Sequence, residues 1–181
     1  MPGRPVSMKR LLVPCVLLAA GVVQADVTPF SISVNYAWSN SFTKLNGTSG
    51  RLEGIELGVS QSVLKLPFLG EARVGVSALL GGILRKGSDT DGTIYRVFAW
   101  YKTPMAGPSG VYGLGGFSYA NAQSRGGAFR NVSGFGVDFG VGFPLKTASI
   151  PGVPTPALEV MWHQGSHAQT RGFSVGINIK F

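Results

Sequence analysis

The chain has 181 residues, 44% of them hydrophobic, with 27 glycines, one cysteine and a formal net charge of +8. Its length fits one domain, and beyond its first 25 residues no run of about 18 apolar residues offers a membrane helix. A single cysteine excludes an internal disulfide framework, and a glycine share about twice the usual ~7% narrows the class further.

Residues 1–25 read as a cleaved secretory signal peptide. Arg4, Lys9 and Arg10 form a positive n-region, "LLVPCVLLAAGVV" is a short apolar h-region, and "VQA" is a small-residue cleavage site before Asp26. Cys15 falls inside this leader, after Pro14, which argues against a lipoprotein site. What remains, residues 26–181, has no cysteine and a net charge of +5.

From Phe30 onward, period-two alternation dominates and helical periodicity is nearly absent. "FSISVNYAW" sets Phe30, Ile32, Val34, Tyr36 and Trp38 against Ser31, Ser33, Asn35 and Ala37. "LEGIELGVSQSVL" sets Ile55, Leu57, Val59 and Val63 against Gly54, Glu56, Gly58, Ser60 and Ser62. In "EARVGVSALL", Ala72, Val74, Val76, Ala78 and Leu80 oppose Glu71, Arg73, Gly75 and Ser77. "TIYRVFAWY" carries aromatics on both faces. Turning Arg96 inward sends Tyr95, Val97, Ala99 and Tyr101 outward and avoids a lipid-facing Arg, which costs about 2–4 kcal/mol at the midplane. "VYGLGGFSYA" leaves its orientation open. "SGFGVDFGVGF" alternates most cleanly, with Phe135, Val137, Phe139, Val141 and Phe143 facing away from four glycines and Asp138. "ALEVMWH" separates Leu158, Val160 and Trp162 from Glu159, Met161 and His163, and "GFSVGINIKF" ends the chain on Phe181.

The connections fall into two alternating classes. "LPFLG", "TPMAGPSG" and "PLKTASIPGVPTP" contain proline, whereas "SNSFTKLNGTSGR", "RKGSDTDG", "NAQSRGGAFR" and "QGSHAQT" are polar and proline-free. The two ends of the sheet therefore meet different surroundings. The polar face is built of Gly, Ser and Ala with a few charges, which suits a crowded interior better than a wetted surface. The large apolar face suits lipid, and closure removes edges that a bilayer could not satisfy. The expected fold is all-β: an eight-stranded antiparallel up-and-down transmembrane β-barrel. Its strands of about ten residues suffice to cross a bilayer, and their even number puts both termini at the periplasmic side of an outer membrane.

With these features the chain resembles the small eight-stranded outer-membrane barrels of Gram-negative-type bacteria, the OmpA transmembrane domain and OmpX group. The resemblance covers residues 27–181 and includes no peptidoglycan-binding domain. It implies that Phe173, Val175, Ile177, Ile179 and Phe181 form the signal read by the barrel-assembly machinery during insertion. It implies a monomer in contact with outer-membrane lipids and lipopolysaccharide.

Glu56, Arg73, Arg96, Asp138 and Glu159 occupy inward positions, with Asn35, Asn178 and His163 nearby, and are expected to form an ion-pair network that plugs the lumen. Lys44, Arg51, Arg85, Lys86, Arg125, Arg130 and Arg171 give the outward loops an excess of positive charge, suited to lipopolysaccharide phosphates. "WHQGSHAQ" offers an alternative. Some barrels of this size are lipid A deacylases, and His163, Ser166, His167 and Glu159 are the corresponding candidates. A triad needs a nucleophile, a base touching it and an acid orienting the base; no Asp or Glu follows His163, and two residues separate it from Ser166. A palmitoyltransferase-like set (Ser88, Asp89, Asp91, His167) is weaker still. "DTDGT" reads as a hairpin turn rather than a calcium loop, and the glycine-rich stretches lack the helix a phosphate cradle needs. No cofactor, metal or nucleic acid is expected. The expected role is non-catalytic: structural, surface-interacting or passing very small solutes. A lipid A-modifying enzyme and a soluble lipocalin-like carrier are the alternatives.

Overall fold

The computed structural model describes residues 29–66, 68–81, 92–106, 110–145, 154 and 156–181. The expected leader, residues 1–25, lies outside the described residues, as do Arg85, Lys86, Ser88, Asp89 and Asp91. Ten strands follow in chain order. They are β1 (Phe30–Ser39), β2 (Phe42–Thr43), β3 (Ser49–Gly50), β4 (Glu53–Leu66), β5 (Gly70–Gly81), β6 (Gly92–Lys102), β7 (Tyr112–Ser124), β8 (Val132–Pro144), β9 (Pro156–Gly165) and β10 (Gly172–Lys180). β2 and β3 pair only with each other; the other eight form a closed antiparallel barrel in which β1 pairs with both β4 and β10.

The closing seam runs from Ser31 opposite Lys180 to Ser39 opposite Gly172. Phe181 N–H donates to the Phe30 carbonyl at 2.8 Å, and the two rings stack at 5.1 Å. Both chain ends of the barrel therefore share one rim, here the terminal rim. The other, the distal rim, carries the connections 40–52, 125–131 and 166–171. Closure leaves the barrel no unpaired edge.

Alternation along each strand sets the two faces. Outward positions hold large apolar side chains in the open, among them Val59, Val97, Phe117, Val137 and Phe139; Phe135 is 76% exposed. An unbroken aromatic row crosses four strands on this surface: Trp38 opposite Phe173, Phe173 opposite Trp162, and Trp162 opposite Phe139. A soluble carrier has the reverse arrangement, with its apolar face inside. The ambiguous strand β6 turns Arg96 inward, so Tyr95, Val97 and Tyr101 are exposed while Ile94 and Phe98 are buried in the lumen. β7 buries Tyr112, Leu114, Ser118 and Ala120 and exposes Phe117 and Tyr119. β4 contains a register shift between Ser62 and Leu64, which inserts Val63 near the terminal rim.

Under the distal rim the lumen is apolar. Phe42 and Leu52 from one connection and Phe129 from another pack on Ala37, Leu79, Ile94, Ala120 and Ala122. Phe42 and Phe129 meet edge to face at 5.0 Å. Leu45 N–H donates to the Ala128 carbonyl at 3.0 Å and ties the two connections together. Farther down, large side chains occupy room left by glycines on neighbouring strands. A Cβ on Gly142 would lie 2.1 Å from the Tyr112 ring. Gly142→Ala must therefore displace a buried ring whose hydroxyl is bonded to Glu159. We expect a loss of about 1–3 kcal/mol, measurable by urea unfolding of the refolded barrel in lipid vesicles.

Candidate functional site

Among the described residues the strand period sends four carboxylates and four full cations into the lumen: Glu56, Glu71, Asp138 and Glu159 with Arg73, Arg96, Lys102 and Lys180. The charges balance, as a narrow water-poor interior requires. Near the terminal rim, Arg73 bonds Glu71 at 3.0 Å and lies 3.6 Å from Glu159. Lys180 bonds the other Glu71 oxygen at 2.7 Å, and the Ser62 hydroxyl also donates to Glu71. The Tyr112 hydroxyl donates to Glu159 at 2.7 Å, and the Lys102 ammonium sits 3.7 Å from the Tyr112 ring centre. Higher in the lumen, Arg96 and the Ser77 hydroxyl each donate to Glu56 Oε1 at 2.6 Å.

All five residues of the expected plug are thus buried in the lumen, but they do not form one network. Glu56 with Arg96 is one group, and Arg73 with Glu159 is another. Asp138 joins neither. It takes a bond from His163 Nδ1 at 2.9 Å and from Trp100 Nε1 at 2.9 Å. Sequence reasoning left Glu71, Lys102, Lys180, Tyr112 and Trp100 out of the set. The inward parity of Glu71 and Lys180 was the available signal; Trp100 was hidden by the two-faced aromatics of β6.

His163 makes a second bond, Nε2 to Ser174 Oγ at 3.1 Å. Asp138, His163 and Ser174 therefore follow the bonding order of a hydrolase triad. They come from three adjacent strands: Asp138 lies opposite His163 on β8 and β9, and Ser174 projects from β10. Ser174 is only 2% exposed. The cavity beside His163 measures about 10 Å³, and Ser174 does not line it. The bonding order is present among buried side chains.

The expected alternative set, His163, Ser166, His167 and Glu159, is not brought together. Four residues along a strand separate Glu159 from His163, a span of about 13 Å. Glu159 turns instead to Tyr112 and Arg73. Ser166 is exposed in a distal turn, and His167 precedes the short 3-10 turn Ala168–Thr170. Neither bonds His163, whose two nitrogens are taken by Asp138 and Ser174. Among the described residues no three His, Cys, Asp or Glu side chains gather as metal ligands.

Of the expected basic rim, Arg85 and Lys86 lie outside the described residues. Lys44 is 7% exposed, buried beneath its own connection. Arg51 is paired with Glu53 at 2.7 Å, and Arg171 Nε donates to the Gly165 carbonyl at 2.7 Å. Arg125 and Arg130 are exposed and have no carboxylate partner among the described residues. Phe173, Val175, Ile177, Ile179 and Phe181 share the outward face of the closing strand.

No protein-family model and no curated protein matches the chain in sequence. Solved structures do match in shape. Ail, the attachment invasion locus protein of Yersinia pestis, superposes with a TM-score of 0.51 at 17% identity, over 85% of this chain and 99% of its own. Ail in complex with the heparin analogue sucrose octasulfate gives 0.50 at 16% identity, over 85% of this chain and 99% of that one. Neisserial surface protein A gives 0.49 at 16% identity, over 83% and 95%. The fold is that of the small eight-stranded outer-membrane β-barrels.

The Glu56–Arg96 pair provides a direct test of the lumen. Arg96→Met strands a buried carboxylate and should cost about 3–5 kcal/mol, while Glu56→Gln combined with Arg96→Met should cost less than Arg96→Met alone. Urea unfolding of the two variants measures the difference.

Proposed function

We propose that this chain is an integral outer-membrane protein, exported by the leader at residues 1–25, with both termini in the periplasm and no catalytic activity. Its working surface is the distal rim, which binds anionic groups outside the cell, first the phosphates of lipopolysaccharide. The observation that carries this reading is the contrast between lumen and rim. The lumen is capped by Phe42, Leu52 and Phe129 and balanced in charge, which supports neither solute passage nor catalysis. The rim keeps Arg125 and Arg130 exposed beside a tight turn in which Gly126 and Gly127 have φ of +79° and +74°. Left-handed backbone at two successive positions favours glycine and holds Arg125 on the outside of the turn. Guanidinium groups grip phosphate and sulfate oxygens in pairs. The outward aromatics Tyr36, Trp38 and Phe173, close to this rim, suit the interface where lipid headgroups begin. The sucrose octasulfate bound to Ail supports using a sulfated polyanion as a second probe.

The test compares the refolded protein with Arg125→Glu/Arg130→Glu, both checked for an intact barrel by the change in gel mobility on boiling. Two exposed pairs and their reversal should weaken retention on immobilised lipopolysaccharide by about tenfold, and added salt should narrow the gap. Unchanged retention would sink the rim assignment. Regular open-channel steps in a planar bilayer would sink the closed lumen.

A further inference from the structure

We infer that the connection between β4 and β5 is a membrane anchor, with Phe68 and Leu69 seated in the phospholipid leaflet at the terminal rim and Lys65 at its phosphates. This rim is opposite the polyanion surface proposed above, so either reading can fail alone. Gln61 faces Phe30 at the start of β1, and β4 continues beyond it through residues 62–66. Leu69 N–H donates to the Leu66 carbonyl at 3.2 Å and closes a tight turn. Phe68, third in that turn, has a φ of +65°, the one positive value outside glycine among the described residues. A positive φ at that place is normally given to glycine or asparagine, and for a bulky side chain it is strained. The Phe68 ring is nevertheless 97% exposed, so packing within the protein does not offset the strain.

Position and chemistry select lipid as the occupant. In water an exposed aromatic returns nothing for a strained backbone, whereas in a bilayer it gains by burial. The apolar outer surface leads into the turn. Leu64 lies opposite Ala72, and Ala72 opposite Tyr101, on the outward face. Leu64, Leu66 and Leu69 are exposed. The Tyr101 hydroxyl stands 2.8 Å from where a Cβ on Gly70 would be, which sets a residue type of membrane interfaces beside the turn. Lys65, exposed between two leucines, has an apolar stem for the leaflet and a cation for lipid phosphates.

Two measurements test the anchor. The full chain carrying Cys15→Ser has no cysteine. In that background Phe68→Cys, Val97→Cys and Asn46→Cys each receive one environment-sensitive fluorophore and are refolded into phosphatidylcholine vesicles containing phosphatidylglycerol. Val97 is exposed in mid-strand, and Asn46 is exposed in a distal connection. Label 68 should emit at shorter wavelength than label 46. A nitroxide at the headgroup should quench it more than one deep in the acyl chains, because interfacial apolar groups lie about 5–10 Å into the boundary. Label 97 should show the reverse order. A label 68 that emits and is quenched like label 46 overturns the anchor and leaves the turn to a soluble partner. The second measurement, unfolding of Phe68→Gly in the same vesicles, needs no label. Glycine relieves the left-handed strain, so a turn lying in water would gain stability. In lipid the lost burial of the ring exceeds that relief, and the unfolding equilibrium constant should rise by about threefold or more. A constant equal to or below that of the parent protein also overturns the inference.

Discussion

Arg73, 3% exposed, lies between two carboxylates, Glu71 at 3.0 Å and Glu159 at 3.6 Å. Every inward charge of the barrel meets the same constraint. Eight strands close into a cylinder just wide enough for side chains to fill, so a charge cannot retreat to solvent and must be matched on the spot. The matching partners come from strands far apart in sequence. Lys180 and Glu71 are 109 residues apart and meet only because the barrel closes. The charges therefore act on the fold in one direction: alternative registers would leave some of them buried without partners, at a cost of several kcal/mol each. The pairs add little net stability over an apolar filling, but they penalise every wrong closure.

The same narrowness explains the glycines. A lumen holding Tyr112, Phe98, Trp100, Met161 and five acid–base pairs has no volume left for ordinary side chains on every inward position. Gly142 gives way to Tyr112, Gly140 to Met161, and Gly176 to Asn35. Composition and electrostatics are thus two sides of one packing problem. Several large or charged groups enter the lumen opposite a glycine, Phe98 across from Gly75 and Glu159 across from Gly142.

This accounts for what was readable in the sequence. Strict alternation carries the fold, because each strand has one lipid-sized face and one lumen-sized face, and six of the eight barrel strands announce themselves that way. Alternation fails on β6, where Phe98 and Trp100 are inside and Tyr95 and Tyr101 outside; only the charge of Arg96 breaks the tie. It also misses the cap. Phe42 and Phe129 come from connections that carry no period, and their burial depends on two loops meeting across the mouth. Lys44 was read as exposed for the same reason, since a loop composition does not reveal that the loop folds inward. Pairing was harder still to read. Parity shows that Asp138, His163 and Ser174 share the lumen, but which of the inward groups touch depends on register between strands, which no single strand encodes.

The Asp138–His163–Ser174 chain sharpens the distinction between bonding and reactivity. Its two distances fall within the range at which a base activates a serine. Nucleophilic catalysis also needs a carbonyl within reach of Oγ, donors placed for the developing oxyanion, and a path for the substrate. Here Ser174 is 2% exposed, and it does not line the small cavity beside His163. What the chain does supply is orientation. A buried imidazole needs two partners to satisfy two nitrogens, and taking them from the strands on either side fixes the ring against Trp100, 6.4 Å away centre to centre. Asp138, His163 and Ser174 thereby join three adjacent strands of the barrel through side-chain bonds.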